Sequence, residues 1–207
     1  MYQKDYFFYS DGTTLYDDPP SHSRSNALWI EFSDKYLTLG PEERVTVVFE
    51  VTIPDSVPET GTYWSMVMIQ GVQPVDTSMS SQGISIRSLI RYGIQIVTHV
   101  GTEGEYDLSF SNFTLERDSS SVKLVANLEN TGDYLLRPEL SIELFNADGE
   151  SIGVFEADIQ KIYPGTSTRN LISLEGIRPG EYNSLLIADC GKDNIFGMNV
   201  TIEIRDD

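Results

Sequence analysis

From Gly83 to Val100 the chain alternates. Ile84, Ile86, Ile90, Tyr92, Ile94 and Ile96 share one parity; Ser85, Arg87, Arg91, Gly93 and Gln95 share the other. A period of two marks a strand with one apolar and one wetter face, and this run is about three times the usual strand length. It leads through the polar hinge Gly101-Thr102-Glu103-Gly104-Glu105 into a second half of different texture. The run therefore reads as the last strand of one domain and the bridge to the next.

Ahead of it, the aromatic stretch 2–9 is strand-like and closes with a turn at Asp11-Gly12. Residues 13–26 form a polar loop, 27–32 a short strand, and 37–43 a strand end and turn. The β-branched run 44–53 stops at Pro54, 61–69 is another strand, and 71–82 is a polar loop. Behind the hinge, strands are expected at 106–115, 122–129, 136–145, 151–157, 167–174, 180–189 and 196–204. Turn signals separate them: Asn130-Thr131-Gly132-Asp133, Asn146-Ala147-Asp148-Gly149, Tyr163-Pro164-Gly165 and Arg178-Pro179-Gly180. Seven short alternating strands in about 100 residues are the signature of an immunoglobulin-like sandwich. No 3.6-residue apolar period is sustained anywhere, so the whole chain reads as all-β.

An internal repeat relates the halves. Leu39-Gly40-Pro41 leads to Gly61-Thr62-Tyr63-Trp64-Ser65, and Ile162-Tyr163-Pro164-Gly165 leads to Gly180-Glu181-Tyr182-Asn183-Ser184. The proline-to-tyrosine spacing is 63 − 41 = 22 in the first copy and 182 − 164 = 18 in the second, a difference that the loop 55–60 absorbs. A G-x-Y-x-S element opening a strand suggests a tyrosine corner, with Tyr63 and Tyr182 bonding back to upstream backbone; otherwise each is an ordinary buried aromatic. The expected organisation is two tandem immunoglobulin-like β-sandwiches over 1–100 and 106–207, with a hinge at 101–105. The first has only five candidate strands against seven, so it is incomplete as read. A sandwich short of strands leaves an apolar face uncovered and an edge unpartnered. Three readings are open: a truncated start, which is favoured; a strand hidden in loop 13–26 or 71–82; or a strand donated by a partner through β-augmentation.

Charge narrows the partners. With 14 basic and 32 acidic residues the chain carries −18, which argues against nucleic acid or an anionic membrane surface. Cys190 is the lone cysteine, so neither an internal disulfide nor a cysteine zinc site can form, and it reads as a buried structural thiol. No apolar run is long enough to span a membrane. Met1 leads straight into Tyr2-Gln3-Lys4-Asp5 without the pattern of a signal peptide, so the chain reads as a mature form or as one whose true start lies upstream.

Two sandwiches joined through a long alternating strand resemble the periplasmic pilus-assembly chaperones of the PapD-like kind. The runs 2–12, 26–30, 37–41, 51–54, 61–68 and 91–97 more closely resemble uncharacterised bacterial envelope proteins related to those chaperones. In that group a signal peptide and a starting strand pair precede the part matching 2–11. The resemblance implies a non-enzymatic, periplasmic or cell-surface protein that holds or presents other polypeptides. In pilus chaperones the long last strand lends its apolar side chains to an incomplete subunit; the matching positions are Ile84, Ile86, Ile90, Tyr92, Ile94 and Ile96. Those chaperones also anchor the client's terminal carboxylate with two basic residues. Arg91, or else Arg87, stands for the second, and no counterpart of the first can be named.

The residues themselves carry a plainer alternative. An apolar parity normally faces its own core, and Arg87 and Arg91, about 13 Å apart on one side of a strand, normally pair with surface carboxylates. His22 and His99 are too scattered for a metal site. The turns 146–150 and 189–194 lack the spacing that gathers ligands around calcium. No serine elbow, carboxylate pair or phosphate loop is present, so neither an enzyme nor a bound cofactor is expected. A chaperone-like protein-binding role leads. A structural or adhesive module contacting through loops 13–26 and 71–82 is the alternative, and a carbohydrate-binding sandwich is the weaker third. That last reading wants a row of exposed aromatics, whereas Trp29 and Trp64 lie in apolar stretches.

Overall fold

Between Leu108 and Ile204 seven strands follow one another: β7 (Leu108–Arg117), β8 (Val122–Asn130), β9 (Glu139–Phe145), β10 (Ser151–Glu156), β11 (Ser167–Ser173), β12 (Gly180–Asp189) and β13 (Ile195–Ile204). This computed structural model describes residues 1–57, 59–72, 89–117 and 121–205. The seven strands form two antiparallel sheets, ordered β10-β9-β12-β13 and β11-β8-β7. Alternation places Leu124, Ala126 and Leu128 of β8 opposite Leu140, Ile142 and Leu144 of β9 and Leu186 and Ala188 of β12. Each such side chain contributes about 1.5–3 kcal/mol on burial, which is what closes two sheets into a sandwich. The fourth strand, β10, pairs with the third rather than the fifth, so the chain changes sheets between β10 and β11.

The crossings are held by local chemistry. Gly132 has room for no Cβ, which would meet Asp107 N at 2.5 Å and Glu105 O at 2.7 Å. Beside it Asn130, fully buried, donates through Nδ2 to the carbonyls of Tyr134 and Ile162 (2.8 Å each) and accepts from Gly132 N at 3.0 Å. On the loop before β12, the Tyr182 hydroxyl donates to Arg178 O at 2.8 Å, the backward bond of a tyrosine corner. The turns 146–150 and 189–194 spend their side-chain oxygens on backbone. Asn146 Oδ1 accepts from Asp148 N and Glu150 N, and Asp189 Oδ1 from Gly191 N.

The chain divides into two compact units: 1–6, 15–58 and 63–98 form the first, and 7–14, 59–62 and 99–207 the second. Two short segments expected in the first domain, 7–14 and 59–62, thus pack with the second. The first unit's strands are β1 (Tyr2–Phe8), β2 (Thr14–Asp17), β3 (Ile30–Phe32), β4 (Phe49–Val51), β5 (Gly61–Gln70) and β6 (Arg91–Val100), in sheets ordered β2-β1-β5-β6 and β3-β4. Its core gathers Tyr6, Ala27, Ile30, Tyr63, Trp64, Met66 and Val67. Trp64 Nε1 donates to Tyr6 O at 2.9 Å. The Tyr63 ring lies 4.6 Å from that of Trp29 and under the Arg24 guanidinium.

Several expectations change here. The polar loop 13–26 contains β2, whose four residues are all exposed and whose place is set by the turn at Tyr9–Thr13. Residues 27–32 are not one strand: Asn26 Nδ2 is tied to Tyr63 O, Ile96 O and Thr98 Oγ1, and a 3₁₀ turn over Ala27–Trp29 follows before β3. The run 44–53 is strand only at β4, because its partner β3 has just three residues. No strand forms at 37–43. Residues 73–88, with Ile84, Ile86 and Arg87, lie outside the described residues.

Candidate functional site

The described part of the alternating run is the edge of its sheet: among the described strands β6 pairs with β5, and Asn26 Nδ2 donates to Ile96 O and Thr98 Oγ1 near its far end. Its apolar side chains do not face home as expected. Ile90 is 61% exposed, Tyr92 63% and Ile94 49%; Ile96, nearer the second half, is half-buried. Arg91 is exposed and its Nε donates to Gln70 Oε1 at 2.8 Å. Gly93 lets β6 lie close to its neighbour, since a Cβ there would meet Met66 Sδ at 2.4 Å. The structure therefore brings Arg91, Tyr92 and Ile94 onto one strand, the edge among the described residues, with Ile90 immediately before it. Exposed apolar side chains on an edge that no second described strand covers offer what a strand-adding ligand needs: ladder hydrogen bonds and pockets for alternate residues. The tyrosine pair is elsewhere, Tyr63 in the first core and Tyr182 near the start of β12, bonded back to Arg178 on the loop before it.

Sequence reasoning missed a polar cluster inside the first unit. Asp5, fully buried, accepts from Ser21 N (2.7 Å), Ser21 Oγ (3.1 Å) and Ser25 Oγ (2.6 Å). His22 Nε2 lies 3.8 Å from Asp5 Oδ1, and its ring packs 4.5 Å from that of Trp64. Ser21-His22-Ser25 at one-turn spacing was the available signal. Ser25 points at the carboxylate and not at the imidazole, so this is an anchor for loop 18–26 and not a nucleophile relay. Burial holds the His22 imidazole below its ordinary 6.5, with the Asp5 charge opposing that shift. A histidine whose folded pKa is depressed takes up its proton more readily when unfolded, so its contribution is intact above 6.5 and is lost as pH falls below it. We expect the unfolding midpoint of the whole protein to drop from about pH 7.5 to about pH 5.5, with this site's share bounded by one proton, ~1.4 kcal/mol per pH unit. His22→Gln should flatten the profile in a pH series of urea titrations; a slope unchanged by the substitution would assign it elsewhere.

No group of three or more His, Cys, Asp or Glu side chains among the described residues is placed to hold a metal ion. No described helix is long and apolar enough to cross a membrane.

No family model matches the chain, and no curated protein matches it. Solved structures do. One is a chain of the chaperone–tip adhesin complex of CFA/I fimbriae biogenesis, with a TM-score of 0.51 at 12% sequence identity, covering 96% of this chain and 82% of that one. At so low an identity the likeness is one of fold.

Proposed function

We propose that this chain is a non-enzymatic, chaperone-like protein of the bacterial envelope, periplasmic or at the cell surface, which holds an extended segment of another polypeptide along the free edge of β6. The observation that carries this reading is the exposure of Tyr92 and Ile94 on an edge strand, and of Ile90 just before it. The fold it shares with a chain of a fimbrial chaperone–adhesin complex supports the same reading. A bound strand would satisfy the open N–H and C=O groups of β6 and cover the three side chains, each contributing about 1.5–3 kcal/mol when fully buried. Only part of that sum would appear as affinity, because ordering an extended segment costs entropy. In this reading Arg91, exposed at the start of the strand, pairs with the partner's terminal carboxylate.

Tyr92→Asp combined with Ile94→Asp should leave the unfolding midpoint nearly unchanged, since both side chains are already in water. It should weaken capture of an extended partner by more than about tenfold. The direct test places a photoreactive benzoylphenylalanine at position 92 and maps cross-links formed in a periplasmic extract. Cross-links to an extended segment, abolished by Ile94→Asp, support the reading. Cross-links that survive that change, or none at all, overturn it.

A further inference from the structure

The outward face of the sheet β11-β8-β7 carries a feature that the edge of β6 does not explain. Asn127 sits at the middle of β8, the central strand, directly between Arg169 of β11 and Ser111 of β7. The in-pointing positions of β8 are Ala126 and Leu128, so Asn127 points away from the core. Yet it is only 8% exposed, and its Oδ1 is buried without a hydrogen-bond partner among the described residues. A buried acceptor left unpaired costs about 1–3 kcal/mol.

Asn127 lines a cleft of about 740 Å³, a size in the range of small-molecule sites. Asn127, Thr168 and Arg169 belong to its sheet side. The tip of the β1–β2 hairpin, Tyr9 to Gly12, forms one wall, and Asn112 and Gln160 contribute two further amides. The tip is fixed in place: Ser10 N donates to Ser167 Oγ at 2.9 Å, and the Phe8 ring meets Tyr163 edge-on with centroids 6.0 Å apart. All these residues belong to the second unit. Asn112 holds a left-handed backbone (φ 53°) at the point where the β7–β8 register slips, a conformation asparagine tolerates better than most residues. Such bulges re-aim side chains beside functional sites.

The chemistry of the lining narrows the ligand. The ladders on both sides of β8 are filled, so its main chain offers nothing to a peptide and recognition falls to side chains. Those are neutral amides and hydroxyls, together with one carboxylate, Asp11, and one guanidinium, Arg169, already paired with Glu116. A chain of net charge −18 does not favour an anion here. Side-chain amides present a donor and an acceptor side by side, which matches neighbouring hydroxyls on a ring. The exposed Tyr9 ring, stacked on Phe7, gives the apolar surface that the C–H face of such a ring requires.

We propose that this cleft is a binding site for a neutral, hydroxyl-rich ligand of the saccharide class, whose hydroxyls bond the side-chain amides of Asn127, Asn112 and Gln160. The site is separate from β6 and stands or falls independently of the partner bound there. The test is a titration of the ¹⁵N-labelled full chain with glucose, methyl galactoside and N-acetylglucosamine, with glycerol and a capped alanine dipeptide alongside. The expected result is saturable shifts of the Asn127 side-chain amide and of the Ser10, Asn112 and Thr168 backbone amides with at least one sugar. Asn127→Leu should weaken that binding by about tenfold or more without lowering the unfolding midpoint. Should Asn127→Leu fail to fold, Gln160→Ala and Asn112→Ala, on the rim, are expected to weaken it severalfold. Four outcomes overturn the proposal: no sugar saturates the shifts, glycerol matches the sugars, the dipeptide binds more tightly, or the folded variants bind like the parent.

Discussion

Replacing Asn130 with alanine is expected to cost the second unit about 3–5 kcal/mol of stability. The side chain is wholly buried at the crossing after β8, where it serves three main-chain groups at once: the carbonyls of Tyr134 and Ile162 and the N–H of Gly132. Alanine removes all three bonds; Ile162 O keeps the N–H of Leu136 and Gly132 N keeps Asp107 O, so the Tyr134 carbonyl carries the main penalty, about 1–3 kcal/mol, and the other two lost bonds add about 0.5–1.5 kcal/mol each. The main-chain bonds of the same residue, Asn130 O accepting from Gly165 N and Asn130 N donating to Thr166 O, remain in the variant and limit the loss. A domain's net stability is about 5–15 kcal/mol, so the variant should populate unfolded forms near body temperature. Equilibrium urea titration of the full chain measures this. The control is Thr131→Ala, one residue on, which breaks only an exposed bond to Asp107 and should cost less than about 1 kcal/mol. Equal losses for the two would show that the buried network contributes nothing special.

The second large effect is chemical. Cys190 lies half-buried at the end of β12, packed against the sandwich core. Burial, and next the Asp189 carboxylate beside it, push its thiol pKa up from 9.0 to about 11. Thiolate is the reacting form, so a rise of two units lowers its fraction near neutral pH about 100-fold. Iodoacetamide at about pH 8 should therefore alkylate the native protein about 100-fold more slowly than the urea-unfolded chain, followed by intact mass. Asp189→Asn should recover only a minor part of the difference, because desolvation is the larger cause. Alkylation at the same rate in both states would refute the assignment.

The second unit was almost fully legible in the sequence, because each of its strands has a neighbour over most of its length and buries one face. β12 shows why: it pairs with β13 over ten positions and with β9 over seven, so its alternation is enforced from both sides. The first unit was less legible where partners are short. Val45, Val48 and Phe49 belong to a β-branched run that should extend, yet all three are exposed and only Phe49–Val51 pairs. A strand is a property of two segments, and propensity reports on one. β2 was hidden for the converse reason: it buries nothing, so no apolar rhythm marks it. The cleft around Asn127 drew no attention because an outward asparagine on a strand is unremarkable until a hairpin some 115 residues earlier, at Tyr9 to Gly12, covers it. Buried Asp5 escaped notice in the same way, since only the fold brings Ser21 and Ser25 to its oxygens.

The open edge of β6 also bears on how densely the protein can be packed. A strand with free ladder groups and apolar side chains is a template for any extended chain, a second copy of itself included. Sheets commonly guard such edges with lysine, proline or a bulge, and β6, Arg-Tyr-Gly-Ile-Gln-Ile-Val-Thr-His-Val, carries neither lysine nor proline. Its guard is diffuse: a net charge of −18 spread over the chain makes copies repel. That repulsion fades beyond a Debye length of about 8 Å at physiological ionic strength and closer still in stronger salt. The chain's acidity thus works as a colloidal shield over that edge, holding off self-pairing at low concentration and low salt, and yielding to aggregation when concentration and salt rise together.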